Sequence, residues 1–106
     1  MLKIKEYKEL ILKEQFFEAH EALEEFWFPK RKEKSSYVLI IKGFINAAVA
    51  FELKKRGRLN SAKRVWQTYT KFMQLLLKEP NSELLELKEF VDNFSKEYLF
   101  KTSKML

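Results

Sequence analysis

Apolar residues recur every three or four positions along most of the chain, and this spacing predicts amphipathic helices. The first predicted helix covers about residues 2–14 and the second about 16–28. The second helix is expected to stop at Pro29, because proline has no backbone N–H to donate and restrains the residue before it. Lys and Glu fill the positions between the apolar residues of the first segment, so this helix should bury one face only.

A third helix is predicted over about residues 37–56, with Ser35 or Ser36 as its N-cap. Gly57 follows in the position where helices often end in a left-handed conformation. This segment is apolar on nearly every side, which is typical of a helix at the centre of a bundle or in a subunit interface.

One side of the third helix carries Val38, Ile41, Ile45 and Val49. If no helix of the same chain covers that side, a second copy of the protein must cover it. We therefore expect a homodimer.

A fourth helix should begin at Asn60 or Ser61 and is broken by the "EPNS" segment, after which Ser82 is expected to cap a fifth helix over about 82–99. The sequence has only two Gly and two Pro, which leaves little material for the turns of a sheet. The prediction is an all-α fold, with residues 1–106 forming one compact bundle of about five helices around a central hydrophobic helix.

The composition narrows the class of protein. Hydrophobic residues make up 46% of the chain and aromatic residues 15%, so a folded core is expected. Absence of cysteine excludes disulfides and thiol chemistry. The N-terminal segment is charged throughout, unlike a signal peptide. The most apolar run is interrupted by Lys42 and Asn46 and is shorter than the about 20 residues that a membrane span requires. We expect a cytoplasmic protein with no membrane partner.

The stretch "FFEAHEALEEFW" places the only histidine of the chain within an aromatic helix. If Phe16 defines zero on a helical wheel, His20 lies at about 40° and Trp27 at about 20°, in the middle of the expected apolar stripe. Glu24 lies at about 80°, at the edge of that stripe, and Glu21 on its flank. We predict a buried polar cluster of His20, Glu21, Glu24 and Trp27.

The pair His20 and Glu24, one helical turn apart, has three interpretations. It can be a hydrogen-bonded polar pair that fixes helix packing, and removing either partner should then destabilise the fold by about 1–3 kcal/mol. It can hold a divalent metal together with Glu52, although this spacing lacks the second histidine of the HExxH zinc motif. It can also serve acid–base catalysis, with Glu24 orienting His20.

Positive charge is concentrated after the third helix. The chain has 21 Lys and Arg against 15 Asp and Glu, a net charge of +6, and residues 53–78 contain no acidic side chain. The candidate anion-binding residues are Lys54, Lys55, Arg56, Arg58, Lys63 and Arg64. Such a cluster binds phosphates in nucleic-acid-binding proteins, but it is also common on plainly solvated helices. Nucleic acid and acidic proteins are the partners that it suggests.

Two segments carry a resemblance to a known family. "FFEAHEALEEFW" followed by "IIKGFINAAVAFELKKRGRLNSAKRV" resembles the prokaryotic family catalogued as domain of unknown function 309. The first motif matches at Phe17, His20, Glu21, Glu24 and Trp27. The second matches at Gly43, Ala47, Ala48, Ala50, Gly57, Ala62 and Arg64. The resemblance covers about residues 7–77 and implies a compact helical fold without an established activity.

The chain departs from the family pattern at one chemically important position. Glu52 stands where several members carry a second histidine. This departure weakens the case for a metal site shared with the family, so the sequence predicts no cofactor. The preferred function is a homo-oligomeric binding or scaffold module. The alternatives are a metal-dependent or acid–base enzyme that uses His20 and Glu24, and a nucleic-acid-binding module that uses the basic residues 54–64.

Overall fold

The computed structural model describes residues 2–100, and the residues that it describes form helices without any strand. The helices are α1 (Ile4–Leu12), α2 (Phe16–Trp27), α3 (Ser36–Lys55), α4 (Leu59–Met73), α5 (Leu75–Lys78) and α6 (Ser82–Tyr98). A single 3₁₀ turn, Phe28–Lys30, follows α2 and contains Pro29. The predicted all-helical bundle is confirmed. The segment "KTSKML" at the end of the sequence, for which the sequence predicts fraying, lies outside the described part of the chain.

The central position of α3 follows from its composition. Ten of its twenty residues are buried, and they point in nearly every direction around the helix axis. α2 packs antiparallel to α3, since Phe16 contacts the Phe51 ring at 5.5 Å while Lys42 lies over the Trp27 ring at 4.4 Å. α4 packs on α3 beside Gly43. A Cβ there would come within 3.0 Å of Phe72 Cβ, so only glycine permits this close approach.

The ends of the helices follow local sequence signals. Ser35 caps α3, because its hydroxyl oxygen accepts from the Val38 N–H. Gly57 has a φ of +81°, as its position after α3 predicts. The predicted cap of α6 was wrong by one residue, since Asn81 rather than Ser82 accepts the N–H of Leu84 at 3.0 Å. An asparagine side chain makes this bond as well as a serine does.

The predicted fourth helix was too long. The helix ends at Met73, and a separate single turn, α5, follows after Gln74. The helical spacing of the sequence predicts that Leu76 and Leu77 both face the core; Leu76 is buried, but Leu77 is 81% exposed. The change of direction after Met73 rotates this residue away from the core.

Aromatic rings and two tyrosine hydroxyls hold the helices together. Phe51 of α3 contacts Phe16 of α2, Trp66 of α4 and Phe94 of α6 with ring centroids 5.1–5.6 Å apart. The buried Tyr7 hydroxyl donates to the Phe44 carbonyl oxygen at 2.7 Å and so ties α1 to α3. Burial raises the pKa of Tyr7 far above its usual range.

The side of α3 on which the homodimer prediction was based is covered within the chain. Val38, Ile41 and Ile45 are buried, and Val49 is half-buried. The physical ground for that prediction was therefore wrong, and the dimer itself stays a prediction. Among residues 2–100, α3 is also the one helix long and apolar enough to cross a membrane, yet here it forms the core of a compact globule.

Candidate functional site: a groove between α2 and α3

His20 lies at the rim of the core and not in its middle. The residues of α2 that are buried are Phe16, Ala19, Ala22 and Leu23. Their mean direction on the helical wheel lies at about 310°, which is roughly 90° away from His20. The sequence prediction was wrong because it placed the middle of the apolar stripe near Phe16 and Trp27, whereas Trp27 is only half-buried and the buried face is centred towards Ala19 and Leu23.

His20 and Glu24 nevertheless form the predicted pair. The distance from His20 Nε2 to Glu24 Oε1 is 3.4 Å, and the two side chains are 21% and 37% exposed. This separation is longer than an ordinary N–H···O hydrogen bond, and water reaches both groups. The Glu24 carboxylate lies beside one ring nitrogen of His20, and no side chain among the described residues bonds the other.

The imidazole faces a groove of about 250 Å³ between α2 and α3. Its apolar walls come from Phe16, Phe17, Ala48, Val49 and Leu53, and its polar groups are His20, Glu52 and Arg56. The Phe17 and His20 rings lie 5.8 Å apart at the mouth. Concave, mostly apolar sites with a few polar groups are the usual form of a small-molecule site.

Glu52 is part of this groove, but its carboxylate is occupied. Glu52 Oε2 accepts from Arg56 Nε at 2.7 Å. Among the described residues, no group of three His, Asp or Glu side chains is close enough to hold a metal ion. His20, Glu24 and Glu52 therefore do not form a three-ligand metal site. Glu24 lies beside His20 on α2, whereas Glu52 lies on α3 and lines the same groove as His20.

The two other members of the predicted polar cluster lie apart from the groove. Glu21 is exposed and lines a shallow acidic concavity with Glu24, Glu25 and Phe28. Trp27 is half-buried beneath the ammonium group of Lys42. The cluster is thus a row along the surface of α2 and not a buried unit.

The basic residues around the end of α3 differ in the contacts that they make with other parts of the fold. Lys54 lies over the Tyr98 ring at 4.6 Å, Lys55 donates to the Glu14 carbonyl oxygen at 2.7 Å, and Arg56 pairs with Glu52. Arg58, Lys63 and Arg64 are exposed, and Arg64 contacts the Ser61 hydroxyl at 3.5 Å. Four of the six residues in the predicted anion-binding set therefore make contacts within the fold.

Sequence reasoning missed the groove itself and the place of Arg56 in it. The spacing of Glu52 and Arg56, four residues apart on a helix, could have signalled their ion pair. No local signal places Val49 opposite Phe17, because that contact depends on how α3 packs against α2.

Comparison with known proteins gives a family but no function. No curated protein and no solved structure matches the chain. The family described as "Domain of unknown function (DUF309)" matches residues 4–65, which is more than half of the sequence and includes α1, α2, α3 and the first half of α4. The match contains every residue that lines the α2–α3 groove. The chain therefore belongs to the DUF309 family, whose description gives no function.

Proposed function

We propose that this protein is a binding module for a small planar carboxylate, which it takes into the α2–α3 groove with His20 as the main polar contact. The observation that carries the proposal is the partly exposed imidazole in the wall of an apolar groove, with the Glu24 carboxylate beside it. A histidine that served only core packing would not need to face such a groove.

The charges around the groove favour an anion. Glu52 is neutralised by Arg56, whose remaining N–H groups are free to donate because that side chain is largely exposed. The Lys55 ammonium group lies 5.7 Å from the Phe16 ring, next to the same end of the groove. A carboxylate would accept from the free N–H groups of Arg56 and would be attracted by the unneutralised Lys55, whereas an ammonium group would be repelled by Lys55.

The size and walls of the groove favour a flat, apolar body. Its volume of about 250 Å³ is at the small end for ligand sites. Phe17 is exposed at the mouth and can stack on an aromatic ring, a contact worth about 0.5–1.5 kcal/mol. Benzoate is therefore a suitable probe, with benzyl alcohol and benzylamine as probes that share its ring and differ in charge.

The test is a titration of the ¹⁵N-labelled protein with the three probes, followed by amide chemical shifts. Benzoate should shift α2 and α3 resonances around the groove saturably and should bind more tightly than benzyl alcohol, with benzylamine weakest. Phe17→Ala should weaken benzoate binding by about threefold to tenfold. Phe28→Ala is the matched control, because Phe28 is equally exposed but lies outside the groove, and it should leave binding unchanged. Equal, non-saturating shifts for all three probes would contradict the proposal.

Acid–base catalysis is a second candidate, favoured by the Glu24 carboxylate that lies 3.4 Å from His20 Nε2. It predicts that the protein hydrolyses p-nitrophenyl acetate faster than an equal concentration of free imidazole does. Glu24→Gln should then remove the excess rate. A rate equal to that of free imidazole rejects this candidate and leaves the binding proposal intact.

The other predicted roles are supported less well. A nucleic-acid interface has five exposed cations in this set, but Lys55 and Arg56 already make contacts within the fold, which leaves Arg58, Lys63 and Arg64. A homodimer in the cytoplasm stays part of our proposal. Sedimentation equilibrium tests it, and a single species of 12.8 kDa would reject the dimer.

A further inference from the structure

A second groove lies between α4, α5 and α6 and has a volume of about 310 Å³. It shares no lining residue with the α2–α3 groove, and its walls lie outside the residues that match the family. Buried side chains of Met73 and Leu76 form its floor, and the exposed Leu77 and Leu85 form its edges. The surface of the groove is mostly apolar, so water is poorly bound there.

One end of this groove is polar and built from three side chains. The Tyr69 hydroxyl donates to Asp92 Oδ1 at 2.8 Å, and Lys88 Nζ donates to Asp92 Oδ2 at 2.7 Å. Tyr69 is buried and holds the carboxylate in place from below. Lys88 and Asp92 are both half-buried, so each has hydrogen-bonding capacity left towards the groove.

The charges at this end select the kind of head group that fits. The ion pair has no net charge. A carboxylate ligand would attract Lys88 but would be repelled by Asp92, and an ammonium ligand would meet the opposite balance. A hydroxyl group can accept from Lys88 and donate to Asp92 at the same time without breaking the pair.

From this geometry we infer that the α4–α6 groove is a binding site for a small amphiphile, an aliphatic chain that ends in a neutral hydroxyl group. The chain lies on Met73, Leu76, Leu77 and Leu85, and the hydroxyl group lies between Lys88 and Asp92. This inference does not depend on the function proposed for the α2–α3 groove.

The experiment compares 1-octanol, octanoate and octylamine, which share a chain and differ in head group. Methyl resonances of Leu76, Leu85 and Met73 report binding, with 1-octanol kept below its solubility limit. The wild-type protein should bind 1-octanol most tightly, and 1-hexanol more weakly, by up to about fourfold for each buried methylene that is lost. No saturable shift with 1-octanol, or equal affinity for the three head groups, would overturn the inference.

Two variants reverse the charge balance in opposite directions. Asp92→Asn keeps an oxygen that accepts from Tyr69 but leaves Lys88 unneutralised, so octanoate should become the best of the three ligands. Lys88→Met leaves Asp92 unneutralised, so octylamine should become the best. A merely structural role of the pair predicts no such exchange of preference, and an unchanged order in both variants would overturn the inference.

A matched pair of leucine variants tests the apolar wall. Leu77→Ala should weaken 1-octanol binding severalfold, because this side chain forms an edge of the groove. Leu12→Ala is the control: Leu12 is also strongly exposed, but it lies at the end of α1 and outside the groove. Equal loss in both variants would show that the alcohol binds to exposed leucines in general and would overturn the inference.

Discussion

Two polar pairs in this protein occupy opposite positions in its architecture. His20 and Glu24 belong to the same turn of α2, are 3.4 Å apart and are reached by water. Tyr69 and Asp92 come from different helices, are 2.8 Å apart, and include a tyrosine that is wholly buried. The first pair can be lost without exposing a buried donor, whereas loss of the second leaves a hydroxyl group inside the core without its acceptor.

This difference separates residues that hold the fold from residues that are available for binding. Burial raises the pKa of Tyr69 far above its usual range, and the neighbouring Asp92 carboxylate raises it further. Such a hydroxyl group stays protonated, and its hydrogen bond to Asp92 links α4 to α6. His20 has no comparable structural duty, and its exposure to the α2–α3 groove is what makes it the better candidate for a ligand contact.

The largest effect is expected for Asp92→Ala. This change leaves the Tyr69 hydroxyl unpaired in the core and removes the partner of Lys88, and the free energy of unfolding should fall by about 1–3 kcal/mol. Urea denaturation measures the loss. Asn93→Ala, at the exposed neighbouring position, is the control and should stay close to wild type. If Asp92→Ala were as stable as Asn93→Ala, the Tyr69–Asp92 pair would contribute no more to the fold than the partly exposed His20–Glu24 pair, which would contradict the comparison.

Tyr7→Phe should cost about 1 kcal/mol at neutral pH, because the Phe44 carbonyl oxygen loses its buried donor. The variant also tests the pH dependence. The pKa of Tyr7 is raised in the folded state, so the folded protein keeps a proton that the unfolded chain loses above about pH 10.

Stability should therefore fall as the pH rises above about 10, by up to about 1.4 kcal/mol per pH unit for each buried tyrosine. Tyr7→Phe should show a shallower fall than wild type, because one of the two buried hydroxyl groups is absent. Unfolding curves between pH 9 and pH 11, a range chosen around the ordinary tyrosine pKa of about 10, measure the two slopes. Parallel slopes would contradict the structural role given to Tyr7.

His20→Ala should have a smaller effect, a loss of less than about 1 kcal/mol, because both members of the pair are partly exposed. This value lies below the 1–3 kcal/mol that a buried pair would give. Thermal melts of His20→Ala beside Glu18→Ala, an exposed position of the same helix, measure it. A loss of stability as large as that of Asp92→Ala would show that His20 stabilises the fold as a buried residue does, and would contradict this assignment.

The smallest effect is expected at the exposed ion pair of Lys3 and Glu25. Their charged groups are 2.8 Å apart, and hydrogen bonding to Lys3 lowers the pKa of Glu25. Water and salt screen this pair, so Glu25→Gln should leave the melting temperature unchanged at physiological ionic strength. A clear drop in the melting temperature would mean that exposed ion pairs stabilise the fold. Exposure would then not explain why His20→Ala is expected to cost less than Asp92→Ala.

The sequence predicts those features of the fold that depend on neighbours along the chain. The start of α2 at Phe16, the cap of α3 at Ser35 and the left-handed Gly57 are all local, and the structure has each of them. The pairing of His20 with Glu24 is local too, because one helical turn separates them.

Features that depend on packing between distant segments could not be predicted in the same way. Tyr69 and Asp92 are 23 positions apart, and no periodicity links them. The depth of His20 depends on where α3 lies against α2, and the helical wheel alone does not give that direction. The exposure of Leu77 depends on the break after Met73, which no proline or glycine announces.

The most direct measurement uses the fact that the chain has a single histidine, so that its imidazole proton resonances need no assignment. These resonances are followed during a titration with benzoate. The account predicts a saturable change in the His20 signals of the wild-type protein and a weaker one in Phe17→Ala. Signals that stay unchanged up to the solubility limit of benzoate would contradict it.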